Sequence, residues 1–220
     1  MSSPIIANEA AVTLAKSRRL ISPLTGVIRS VEEVPLNEED AAEISLFVSS
    51  LSDASRIDIP LSNRLHGATG ETKEVAKAKA IGEAIERYCA ARFDPEELIV
   101  ASYKDVSGRA IHPSQFSLYS PAQYAAPGFP YPRFDEMTRI SWVKGYNLTR
   151  EEHALVPACL TYLPHQLADP HESVLAPAIS TGLACRGTLR EAAITAICEV
   201  VERDACMIMW LNGLSMPNVV

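Results

Sequence analysis

The chain has 220 residues, 47% of them hydrophobic and 21% charged, a composition that excludes disordered and collagen-like classes. At about 100–200 residues per domain, that length holds one large domain or two small ones. With 20 Lys and Arg against 27 Asp and Glu, the formal charge is −7, which argues against a uniformly basic nucleic-acid surface. Fifteen prolines against ten glycines point to fixed turns more than to flexible linkers.

Met1-Ser2-Ser3-Pro4 lacks the basic stretch and apolar core of a secretory signal. The charge-free run 110–132 is broken by prolines, serines and glutamines. The run 205–220 carries Asn212, Pro217 and Asn218 and is shorter than the roughly 20 residues that span a bilayer. Neither is expected to enter a membrane. Cys89, Cys159, Cys185, Cys198 and Cys206 are odd in number and form no C-x-x-C, so a reducing cytoplasm is the expected compartment. His66, His112, His153, His165 and His171 have no metal-ligand spacing and are expected in ordinary surface or core roles.

In chain order, residues 21–26 read as a turn that leads into a short strand over 27–31. Glu32, Glu33, Glu38, Glu39, Asp40 and Glu43 make an acidic stretch expected as a solvated loop. Loose alternation with β-branched residues predicts a strand over 44–48. Residues 73–92 have helical period, with Gly67-Ala68-Thr69-Gly70 just ahead of them. Strands are predicted over 98–103, 140–146 and 154–163, the last two joined as a hairpin across 149–152. Residues 113–132 are too proline-rich for regular structure and too aromatic for a disordered linker. Residues 189 to about 211 form the last helix. Several strands with two long helices predict an α+β, or mixed α/β, fold.

The two helices repeat one another. Residues 76–90 read AKAKAIGEAIERYCA and 192–206 read AAITAICEVVERDAC, placing Glu83 on Glu199, Glu86 on Glu202 and Arg87 on Arg203. At about 100° per residue these three positions share one helix face. Glu83 and Arg87 at i,i+4 also suit an ordinary solvated face, the reading favoured by the first helix alone. The second helix resists it. Ile194, Ile197, Cys198, Val200, Val201 and the run 205–210 are apolar nearly all round, so the helix is expected to be buried and Glu202 enclosed. Buried carboxylates need a partner or a cation. Oxygen donors without clustered thiolate or imidazole favour Mg²⁺, and arginine can bind phosphate bidentately. The chain has no P-loop and no G-x-G-x-x-G motif.

On Glu83-Ala-Ile-Glu86-Arg87 and Glu199-Val-Val-Glu202-Arg203-Asp204-Ala205, the chain resembles the YcaO-domain family. Ser180-Thr181-Gly182-Leu183-Ala184, Trp142-Val143 and Val156-Pro157-Ala158 add to the likeness, which extends from about Ile21 onward. The resemblance implies an ATP–Mg²⁺ site bound by Glu83, Glu86, Arg87, Glu199, Glu202 and Arg203, with the four glutamates as metal ligands. Where the family often has Ser and Gln, four residues before each motif, this chain has Lys79 and Thr195. Lys79 is on the same stripe and is added as a phosphate contact. No catalytic residue is assigned. Family members are commonly nearly twice as long, so residues 1–220 are expected to be one YcaO-like domain lacking its C-terminal half.

The implied activity is ATP-dependent activation of peptide-backbone amides in a ribosomally made precursor peptide, of the azoline-forming cyclodehydratase type. A thioamide-forming component, or an inactive homologue that binds a peptide or partner, remains the alternative. Implied partners are the precursor peptide, a leader-binding protein, and a chain supplying the C-terminal half or a second copy. Neither nucleic acid nor membrane is among them.

Overall fold

Along residues 45–51 the side chains of Phe47, Ser49 and Leu51 are buried in alternation, the period-two pattern of a strand with one covered face. This strand, β2 (Ser45–Leu51), is central to an antiparallel sheet between β1 (Ile28–Val34) and β3 (Leu65–Gly70). The structure, a computed structural model, describes residues 4–37, 44–55, 59, 61, 63–165 and 169–216. It divides into two compact units.

The first unit joins this sheet to the helices α1 (Pro4–Ser17), α2 (Lys73–Ala90) and α5 (Leu189–Asn212). Small residues let α2 lie close on the sheet: Ala76 and Ala80 pack against Phe47, with Val31 and Ala68 beside them. At Gly70 a Cβ would stand 2.6 Å from the Ala76 nitrogen, so the strand end approaches the helix as only glycine allows. Val75 and Ala78 pack against Ala10 and Leu14 of α1.

The second unit holds the antiparallel sheet β4 (Ile99–Ser102), β5 (Arg139–Asn147) and β6 (Glu152–Pro157), in that order, with the short helices α3 (Tyr103–Val106) and α4 (Pro121–Tyr124). The expected hairpin pairs Trp142 with Pro157 through to Asn147 with Glu152. Trp142 is wholly buried with Val106, Ile140, Leu155, Cys159 and Leu175, and its indole N–H donates to the Ala101 carbonyl at 3.1 Å. The aromatic stretch 113–132 makes a small cluster of its own. Tyr119, Tyr124, Phe129 and Tyr131 contact one another with ring centroids 4.7–5.9 Å apart.

The expected α+β class is the one observed. Several elements differ in detail. The helix read over 73–92 ends at Ala90, and the strand read over 154–163 ends at Pro157, where residues 158–160 form a 3₁₀ turn. Glu32 and Glu33 belong to β1 rather than to a loop, and Glu33 accepts from Lys73 at 2.8 Å. Glu38, Glu39, Asp40 and Glu43 lie outside the described residues.

The expectation that α5 is buried is overturned. None of its residues is buried, and Val201, Trp210 and Leu211 are 63%, 75% and 74% exposed. Its apolar circumference calls for cover, and the described residues place no element over most of it. Among the described residues, no helix is long and apolar enough to cross a membrane.

Candidate functional site

The first unit contains a cavity of about 570 Å³, lined in part by Glu83 and Glu86 of α2 and by Glu199 and Glu202 of α5. Two stripes whose leading residues, Glu83 and Glu199, are far apart in sequence therefore open onto one space. Residues 183–187 supply another part of the wall, and α1 adds Glu9, Thr13 and Lys16.

Glu83, Glu86 and Glu199 are held by partners within the chain. On α2, Arg87 is only 17% exposed and donates Nη1 to Glu86 and Nη2 to Glu83. On α5, Arg203 reaches Glu199 Oε1 at 3.4 Å, and Glu199 Oε2 accepts from the Gly182 N–H at 2.9 Å. Gly182 has φ of +89°, a left-handed conformation suited to glycine, and this turn aims its N–H at the carboxylate.

Burial pushes the Glu86 carboxyl up to about 7, aided by repulsion from Glu83 and Glu199, while Arg87 pulls the other way. Desolvation and like charge together outweigh one guanidinium. The repulsion from Glu199 accords with Glu86 and Glu199 lining one cavity. On β3, burial holds the His66 imidazole below its ordinary value, and the Arg87 charge acts the same way; a carbonyl contact at Asn63 and the charge of Glu83 work against it.

Of the residues singled out in the sequence, Glu83, Glu86, Glu199, Glu202 and Lys79 line the cavity. Arg87 and Arg203 are absent from its lining, since each is turned to carboxylates on its own helix. Glu202 lines the cavity yet is exposed, which corrects the expectation that apolar neighbours enclose it; those neighbours point to solvent. Lys16, Cys185 and Arg186 also line it and were not read from the sequence as site residues. Their signal is weak, because a lysine near the N-terminus and a Cys-Arg pair in a loop form no motif.

Among the described residues, no three His, Cys, Asp or Glu side chains stand close enough together to hold a metal ion by themselves. Such a donor set does not suit a structural metal cage. It suits Mg²⁺, which commonly takes one or two carboxylates and fills its remaining positions with substrate phosphates and water.

Residues 67–220 match the family described as YcaO cyclodehydratase, ATP- and Mg²⁺-binding. The chain belongs to the YcaO family. A heterocyclase structure in complex with substrate and cofactor is 29% identical, with a TM-score of 0.76 over 96% of this chain and 30% of that one. The heterocyclase TruD is 26% identical, with a TM-score of 0.61 over 94% of this chain and 25% of that one. YcaO from Methanopyrus kandleri, bound with AMPPCP and Mg²⁺, shares the fold at 21% identity, with a TM-score of 0.60 over 96% of this chain and 47% of that one.

An uncharacterised protein of Methanothermobacter thermautotrophicus is 27% identical over 171 residues, 72% of this chain and 40% of that protein. The chain thus spans less than half the length of each of these YcaO structures and of this relative. α1 and β1–β2 precede the residues matched to the YcaO family, so the wall carrying Lys16 is outside that match.

Proposed function

We propose that this chain forms the nucleotide-binding part of an ATP- and Mg²⁺-dependent enzyme that activates backbone amides in a ribosomally made peptide, of the azoline-forming cyclodehydratase type. The observation that carries this reading is the convergence of Glu83, Glu86, Glu199 and Glu202 on one cavity in a member of the YcaO family. The likeness to a heterocyclase in complex with substrate and cofactor supports it.

In the overall reaction, a Cys, Ser or Thr side chain of the precursor peptide adds to the preceding carbonyl. The carbonyl oxygen departs as phosphate, the amide nitrogen loses its proton, and ATP becomes ADP as the azoline ring forms. Bound Mg²⁺–ATP supplies the phosphoryl group that turns this oxygen into a leaving group.

The chain's own residues prepare the site. Glu83, Glu86, Glu199 and Glu202 provide oxygen ligands, one or two to an ion, which offsets the repulsion between carboxylates and phosphate. Lys79, one turn before Glu83, contacts phosphate as a point charge. Arg87 and Arg203 act through the carboxylates they hold, fixing donor positions on α2 and α5. A precursor peptide and a leader-binding protein are the partners this chemistry requires.

Calorimetry with ATP tests the reading. The 220-residue chain is expected to bind in Mg²⁺ and at least about tenfold more weakly in EDTA. Glu202→Gln is expected to weaken binding in Mg²⁺ by about tenfold or more, whereas Glu96→Gln, an exposed residue of the second unit, leaves it unchanged. Equal affinity in EDTA would reject the metal role, and absence of ATP binding in Mg²⁺ would reject the nucleotide site.

A further inference from the structure

Five carboxylates line the cavity, from Glu9, Glu83, Glu86, Glu199 and Glu202, so a polyphosphate needs positive charge from the wall as well as from metal ions. The motif arginines do not line it. Among the described residues, the Lys and Arg side chains that do are Lys16, Lys79 and Arg186. Two of these stand in a repeated relation to the motifs. Lys79 is one turn before Glu83 on α2. Thr195 holds the matching place one turn before Glu199 on α5, and the Arg186 Nε donates to its hydroxyl at 3.0 Å.

Lys79 and Thr195 thus stand about 6 Å along the axis, four residues at 1.5 Å rise, ahead of the first motif glutamate of each helix, and each place is served by a cation. On α2 the cation belongs to the helix itself. On α5 it is borrowed from the loop before the helix. The Thr195 hydroxyl engages one of five guanidinium N–H donors, leaving both Nη groups for an anion. Lys16 reinforces this end of the cavity: its Nζ donates to the Gly187 carbonyl at 3.4 Å, beside Arg186.

We infer that Arg186, oriented by Thr195, is a phosphate-binding residue of this cavity. The pattern of cation, Glu, Glu on both helices then matches a ligand with a chain of phosphates, some held through metal by the carboxylates and others held directly by Lys79 and Arg186. Thr195 also lines the cavity, and its role is to position the guanidinium it bonds. The inference rests on the nucleotide reading of the cavity, and its test separates the two.

The test is calorimetry of the 220-residue chain with ATP and with adenosine, both in Mg²⁺, with folding checked by circular dichroism. Arg186→Ala is expected to weaken ATP binding by about ten- to a hundredfold, the range for a lost hydrogen bond to a charged group. Adenosine affinity should not change, so the preference for ATP over adenosine falls by the same factor. Arg186→Lys should recover part of the loss.

Thr195→Val should weaken ATP binding a fewfold in the wild-type background and not at all on top of Arg186→Ala; a merely structural threonine would cost the same in both. An Arg186→Ala chain that binds ATP like wild type while Glu202→Gln loses binding overturns the inference and leaves the nucleotide site standing. If Arg186→Ala fails to fold, the Thr195→Val and Arg186→Lys arms decide, and unchanged ATP affinity in both overturns it. A wild-type chain that binds no ATP overturns both readings.

Discussion

Glu86 shows how a single side chain records the charge of its surroundings. Its carboxyl is raised to about 7 because burial and the charges of Glu83 and Glu199 outweigh the Arg87 contact. The unfolded chain would ionise it in the ordinary carboxylate range, near 4.3. Between those values the folded state binds more protons than the unfolded state, so stability falls as pH rises through this window. The accumulated loss is on the order of 3 kcal/mol by pH 8 for a side chain this enclosed.

Urea unfolding at pH 5 and pH 8 should show that fall, and Glu86→Gln should flatten it, since the amide resembles the protonated carboxyl and cannot ionise. An unchanged pH slope in Glu86→Gln would mean that the strain is elsewhere. Because the chain without metal keeps a proton where the proposed ion binds, uptake of Mg²⁺–ATP at pH 6 should release protons, a heat that varies with buffer ionisation enthalpy.

At the scale of elements, the sequence and the structure part company over burial. The paired motifs were legible, because a three-residue and a four-residue spacing fix a helix face whatever surrounds the helix. A shared site for Glu83 and Glu199 was expected from the family resemblance carried by that repeat, and both line one cavity. The surroundings of α5 did not, since apolar composition states what a helix can bury but not whether a partner is in place. β3 was not read as a strand because Gly67 and Gly70 look like turn residues, and here Gly70 lets α2 approach the sheet. Arg186 was illegible for a different reason: its link to Thr195 spans nine positions and bends back from a loop.

The exposed side of α5 has a measurable consequence. Ile194, Ile197, Val201, Ile208 and Leu211 fall within about 100° of arc on the face turned away from Thr195, Glu199 and Glu202, interrupted by Asp204. Each is at least half exposed. Leaving apolar area in water costs about 25 cal/mol per Å², so a continuous stripe of this kind favours association. Light scattering is expected to show self-association of the 220-residue chain at calorimetric concentrations. The double variant Val201→Glu, Ile208→Lys should reduce it without loss of ATP binding, because neither residue lines the cavity. A wild-type chain that stays monomeric would show that the stripe is inert in water.

For the molecule as a whole, the division into two units determines how ligand binding and core packing should appear in unfolding. The whole lining of the proposed nucleotide cavity belongs to the unit of α1, β1–β3, α2 and α5, whose core includes Phe47, Ala76 and Ala80. Trp142 and Leu175 anchor the core of the other unit, with its own sheet and hairpin. A ligand that binds only the folded form stabilises it by RT ln(1 + [L]/Kd), about 2.7 kcal/mol at a hundredfold excess over Kd.

Calorimetric melting should therefore show two transitions, of which Mg²⁺–ATP raises one by several degrees. Leu175→Ala removes a fully buried side chain, at a cost of about 2–5 kcal/mol, and should lower the other. Each perturbation then reports on the core it touches, and the ATP affinity of Leu175→Ala, measured below its melting range, should equal that of the parent chain. A single transition moved by both changes would show that the units unfold as one.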